Sequence, residues 1–240
     1  MANNDHIALL KQGATVWNQW RNLTPDVKPD LAWANLREMS LAEFDLSEAN
    51  LTGANLYRTD LSQANLYKAC LTQAYANEAT LAETDLGSSD LSKADFYQAD
   101  LSGAILTGAS LIGTYLRKAN LAEATLYGAD LSEAILIKSN LQGVCLTEAD
   151  LIGAQLAEAN LSKAYMGRAN LSGANLAQAN LANANLNGAS LKDVTLNDAN
   201  LTGTNLSNVC HFKVCPTHKN THKSIHKTTH KSKKQLLLSA

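Results

Sequence analysis

The side chains best suited to metal chemistry crowd the C-terminus. Cys210, His211 and Cys215 are followed by His218, His222, His226 and His230, one imidazole every four residues. Thiolate and imidazole donors suit zinc or nickel, and Cys210, Cys215, His218 and His222 are the candidate ligands. Their spacing matches no standard closed zinc site. Residues 211–240 also hold seven Lys and no Asp or Glu, a composition suited to weak contact with nucleic acid or another anionic surface. The low complexity of T-H-K-N, T-H-K-S, I-H-K-T, T-H-K-S predicts a solvated, disordered extension, with metal or anion binding as a secondary reading.

Catalytic constellations are absent. His6 is the only histidine before His211, and no G-x-S-x-G elbow, P-loop or dinucleotide fingerprint occurs. The sequence therefore points to a non-enzymatic protein without a cofactor.

The elements that position everything else come from one period. From Leu31 to Leu206 every fifth residue is Leu, except Ala76, Phe96 and Met166, with no insertion or deletion across 36 positions. Five fits neither the 3.6 residues of an α-helix nor the two of a strand, and strict self-similarity means a solenoid. Taking Leu as position i, position i−2 is mostly Ala and i−1 mostly Asn or Asp, as in Ala49-Asn50-Leu51 and Ala64-Asn65-Leu66. In extended backbone i−2 and i share a face, so Ala and Leu point inward while i−1 and i+1 point out. Position i+2 collects Gly, among them Gly53, Gly103 and Gly113, which marks a corner. No Pro lies between Pro29 and Pro216, as stacking that needs every N–H requires.

The A-(D/N)-L-x-x consensus over roughly 30–210 resembles the pentapeptide-repeat family. The resemblance implies an all-β, right-handed quadrilateral β-helix with one pentapeptide per side and 20 residues per coil. Two internal features favour four sides over three. Ala76 and Phe96, the smallest and the aromatic occupants of position i, are 20 residues apart, so the ring can fill the space its neighbour leaves. All seven tyrosines fall in alternate pentapeptides, which an even-sided coil preserves as faces. The repeat then makes about nine coils, a rod of about 43 Å at roughly 4.8 Å per coil. Asn120, Asn140, Asn160, Asn180 and Asn200 should form one hydrogen-bonded ladder.

Three segments result: 1–29 as an N-terminal helical cap, 30–210 as the β-helix and 211–240 as the tail. The cap is expected as one helix with Asp5 at its N-cap, Ile7, Leu10, Ala14 and Trp17 on one face and Trp20 beside them, ended by Pro25 and Pro29. The string W-N-Q-W-R resembles the N-terminal segment of cyanobacterial members of the family. Met39 and Phe44 at usually small i−2 positions suit a hydrophobic plug on the first coil. The other end is an open strand edge, closed by Val209, Phe212 and Val214 or by a second copy of the chain.

Charge and composition bound the partners. The net charge of −2 is split into about −10 over 30–210 and +7 in the tail. No apolar run of 18 residues occurs and the N-terminus has no signal-peptide pattern, so a cytoplasmic protein without membrane contact is expected. The four cysteines form no disulfide framework and are expected reduced. Some members of the family imitate B-form DNA and protect type II topoisomerases, which makes an acidic topoisomerase regulator one reading. Here −10 over 43 Å is far below one charge per about 1.7 Å. The preferred reading is a protein-interaction scaffold. Its candidate surface is the side bearing Tyr57, Tyr75, Tyr97, Tyr115, Ile135 and Ile137, with Arg117 beside them, because aromatic residues and Arg are enriched where proteins meet.

Overall fold

A computed structural model describes residues 2–210. Parallel bridges join position i−1 of each repeat to i−1 twenty residues on, from Asp30↔Asn50 without a break to Ser190↔Cys210. Four pentapeptides close one coil, and nine coils stack. Each side is too short for a continuous strand and is reduced to one bridge residue and one turn.

The backbone accounting explains the consensus. Around Leu61, the Leu61 N–H donates to the Thr80 carbonyl of the next coil at 2.7 Å, and Gln63 N–H to Ala82 at 3.0 Å. Asn65 N–H donates back to Phe44 of the preceding coil at 2.9 Å, and Ala64 N–H closes the turn on Leu61 at 3.0 Å. That leaves the N–H at i+1, and Asp60 Oδ1 accepts it from Ser62 at 3.0 Å. An Asn or Asp at i−1 thus supplies the one acceptor that the backbone cannot. The turn needs a positive φ at i+2, which all ten glycines there adopt, as do 26 other residues such as Glu123 at 59° and Lys163 at 60°.

Leu at i and Ala at i−2 fill the interior, almost all without exposure. Ala76 and Phe96 stack in neighbouring coils, both fully buried. The Asn ladder is present, with Nδ2-to-Oδ1 bonds of 2.9–3.1 Å from Asn200 down to Asn120, and it runs one step further onto Asp100.

At the N-terminus the structure departs from the expected single helix. Two helices form, α1 (Asn4–Leu10) and α2 (Ala14–Leu23), broken where Gly13 takes φ 94°. Asn3, not Asp5, is the N-cap of α1, accepting from Asp5 and His6. The helices occupy the place of a missing coil. Asp45 O accepts from the Trp17 indole at 2.8 Å, Asp45 N–H donates to Asn18 Oδ1 at 2.8 Å, and Ser47 O accepts from Arg21 at 3.0 Å. His6 Nδ1 accepts Asp30 N–H at 2.9 Å. Trp17 is fully buried against Phe44, their rings 6.2 Å apart.

The opposite end is open among the described residues. The N–H groups of Leu196, Leu201 and Leu206 find no acceptor, and Leu201 and Leu206 reach 8% and 7% exposure. Val209 packs against the core as expected, while Phe212 and Val214 lie outside the described residues.

Two substitutions probe these devices. Phe96→Ala joins its own vacancy to the small Ala76 beneath, and should lower unfolding stability by about 3–5 kcal/mol. Asn160→Ala removes the bonds to Asn140 and Asn180 and the acceptor for Ser162 N–H. It should cost about 1–3 kcal/mol. Guanidinium unfolding followed by circular dichroism measures both.

Candidate interaction surface

The coil register sorts the surface into four sides, each opened by its first leucine. The Leu31 and Leu41 sides each carry a net −4 and the Leu46 side −2, but the Leu36 side is neutral, holding five of the ten basic residues of the β-helix. The candidate tyrosines stand on this neutral side. Bridges place Tyr75, Asp95, Tyr115 and Ile135 in one column at position i−1. Tyr57, Asn77, Tyr97, Arg117 and Ile137 form the parallel column at i+1.

The side chains divide into engaged and free. Tyr57 lies between two guanidinium groups, Arg37 at 4.7 Å and Arg58 at 5.1 Å from its ring centre. Those cations are paired in turn, Arg37 with Glu38 at 3.0 Å and Arg58 with Glu78 one coil on at 2.7 Å. Glu78 holds the Arg58 guanidinium above its usual pKa through this bond. Tyr97 is half-buried, with Lys118 Nζ 3.3 Å from its hydroxyl. Ile135 and Ile137 are half-buried. Tyr75 and Tyr115 are 57% and 49% exposed and make no side-chain hydrogen bond among the described residues. Arg117 is exposed and has no ion-pair partner among the described residues.

Tyr75, Tyr115 and Ile135 also stand where the fold favours Asn or Asp. Asn77, Arg117 and Ile137 accordingly have backbone N–H groups with no acceptor among the described residues. Each missing bond forgoes about 0.5–1.5 kcal/mol. On the Leu46 side, Tyr127 is instead tied down. Its hydroxyl donates to Glu148 at 2.6 Å, and Arg168 holds the same carboxylate at 3.0 Å. The Glu148 carboxyl is lowered, first by Tyr127 and then by Arg168, and the Tyr127 phenol is raised by Glu148.

Sequence reasoning missed Trp33. Its indole is 60% exposed and lies over Gly53, where a Cβ would overlap the ring. Beside it Arg37, Gly53, Asn55, Tyr57, Tyr75 and Asn77 line an open groove of about 510 Å³. The available signal was Gly53 twenty residues after Trp33 at the same corner position. Of the metal candidates, Cys210 is exposed and free, and Cys215, His218 and His222 lie outside the described residues. The described residues contain no cluster of three metal-ligating side chains and no helix long and apolar enough to cross a membrane.

The family model for pentapeptide repeats matches eight copies, within residues 30–66, 69–108, 106–136, 134–173 and 169–208. The chain belongs to the pentapeptide-repeat family. The family's solved structures carry a right-handed four-sided β-helix, and the 20-residue register here gives the same four sides per coil. HetL, a pentapeptide repeat protein involved in heterocyst differentiation regulation from the cyanobacterium Nostoc sp. strain PCC 7120, is 32% identical. That match covers 80% of this chain and 92% of HetL, with a TM-score of 0.43. Rfr23 from the cyanobacterium Cyanothece 51142 is 41% identical over 40% of this chain and 62% of its own, at TM-score 0.31. QnrB1, a plasmid-mediated fluoroquinolone resistance protein, is 16% identical over 82% of this chain and 92% of its own. Its TM-score of 0.61 shows a shared fold. No curated protein sequence matches.

Gly53→Ala should lift Trp33 from its seat. Acrylamide quenching of Trp33 fluorescence, read in a Trp20→Phe background, should rise in that variant with the circular dichroism spectrum unchanged.

Proposed function

We propose that this protein is a non-enzymatic interaction scaffold that binds a partner protein through its Leu36 side. The observation that carries the reading is the column Tyr75, Tyr115 and Ile135, where exposed or half-exposed aromatic and aliphatic groups replace the Asn or Asp that most often caps the turn, beside a concentration of basic residues that the Leu46 side, with Ile105 and Tyr165 at the same position, does not have. Stability is given up there and large apolar surface gained, the pattern expected of a functional site. The neutrality of this side between two acidic ones lowers the cost of desolvating it. Tyr75, Tyr115, Arg117 and Trp33 are residue types that dominate binding energies. Leu and Ala fill the interior of the coils, which supports a role exercised at the surface.

The test is a paired affinity capture from the source cell's lysate. One bait is the intact chain, and the other carries Tyr75→Ser, Tyr115→Ser and Ile137→Ser with its fold confirmed by circular dichroism. A partner captured by the intact chain and lost at least tenfold by the triple variant is the expected result. Equal capture by both overturns the assignment of this side.

The acidic Leu31 and Leu41 sides favour one second reading, a DNA-mimic regulator of a type II topoisomerase. Inhibition of gyrase supercoiling by the tail-deleted protein would be its signature, and no effect would remove it.

A further inference from the structure

Resting on the reading of the Leu36 side as the partner surface, we infer that the segment seated on it is an acidic peptide stretch punctuated by apolar residues. The middle of this side gathers cations and backbone donors, and several of them have no acceptor among the described residues. Arg117 presents an exposed guanidinium without an ion pair and a backbone N–H without an acceptor among the described residues. The N–H of Ile137, one coil on in the same column, is equally unpaired, and that of Asn77 lies two coils before. Lys118 extends over Tyr97, its Nζ 5.6 Å from the ring centre, and Lys138 stands one coil further. Lys93 holds the adjoining corner.

The local acids cancel only part of this charge and leave Arg117 and Lys118 unmatched. Glu158 is taken by Lys138 at 3.2 Å, and Asp95 is engaged by the Asn77 amide and the Tyr97 N–H, both at 3.1 Å. The result is a cationic, donor-rich island on a rod whose other three sides are all acidic. Carboxylates complement it, because they only accept and can bind a guanidinium and an N–H together. Tyr115, Ile135 and Ile137 occupy the same coils as these cations, so the complementary segment needs apolar side chains between its acids. Columns repeating about every 4.8 Å along the rod favour a segment laid along the axis, toward the groove of Tyr57 and Tyr75.

The test is selection of a displayed random 12-residue peptide library on three baits: the intact chain, Arg117→Glu/Lys118→Glu, and Tyr75→Ser/Tyr115→Ser/Ile137→Ser. Circular dichroism and thermal melts confirm the fold of each. The basic tail is present in all three, so its own attraction for acidic peptides cancels. The intact chain should enrich peptides combining Asp or Glu with apolar residues. Fluorescence polarisation should show the best of them at least tenfold weaker on the charge-reversed chain. Peptides lost on the Ser variant but without acidic excess, or unchanged on the charge-reversed chain, overturn the acidic partner and leave the surface intact. Peptides bound equally by all three baits, or no enrichment over bare support, overturn both. Binding of a 20-base-pair duplex that the charge reversal abolishes, without acidic peptides, would overturn the inference in favour of nucleic acid.

Discussion

Everything in this protein depends on the hydrogen bonds between coils. Three of the five N–H groups in each side reach a neighbouring coil, always at the same residue offset. A coil that slipped by one residue would carry its leucines out of the core and its Asn and Asp off the turns they cap. The register is therefore rigid, and the absence of insertions over 36 repeats is its consequence in sequence. The fifth N–H is why the repeat is more than a hydrophobic pattern. It makes Asn and Asp structural residues, and their replacement at Tyr75, Tyr115 and Ile135 informative.

A rigid register also turns the surface into columns. Residues 20 apart in sequence become neighbours, so composition along the chain becomes composition of a side. Half of the β-helix's basic residues and four of its seven tyrosines meet on one side in this way. The two tyrosine-bearing sides differ in charge more than in exposure. Tyr127 is bound into a cluster with Glu148 and Arg168, whereas Tyr75 and Tyr115, like Tyr165 on the Leu46 side, are exposed and make no side-chain hydrogen bond among the described residues.

The two ends of the rod meet the edge problem differently. A stack of coils ends in unpaired backbone groups at both faces. At the first coil, His6, Trp17, Asn18 and Arg21 take the hydrogen bonds that a preceding coil would have taken, and Trp17 covers the leucines. Arg21 is buried beside Asp45, which places its charge against a carboxylate 3.5 Å away. At the last described coil, Leu196, Leu201 and Leu206 have N–H groups without an acceptor among the described residues, and Leu201 and Leu206 are slightly exposed there.

The period of five, the inward Ala and Leu, the corner at i+2, the 20-residue coil and the Asn ladder were all legible in the residues, because each is a local pattern repeated until chance is excluded. The side of every tyrosine was legible for the same reason. What the sequence could not show was engagement. Tyr57 and Tyr75 look alike along the chain, yet one is clasped by Arg37 and Arg58 and the other is free. Trp33 was overlooked because its seat is a glycine a full coil away. The break at Gly13 and the N-cap at Asn3 escaped a reading based on apolar spacing, since Asp5 and Asn3 are both acceptable caps and only docking on Asp30 and Asp45 selects between them. The sequence by itself determined the architecture, because that rests on periodicity. The tertiary structure alone decided which surface groups remain unsatisfied, because that depends on distances between side chains one coil apart.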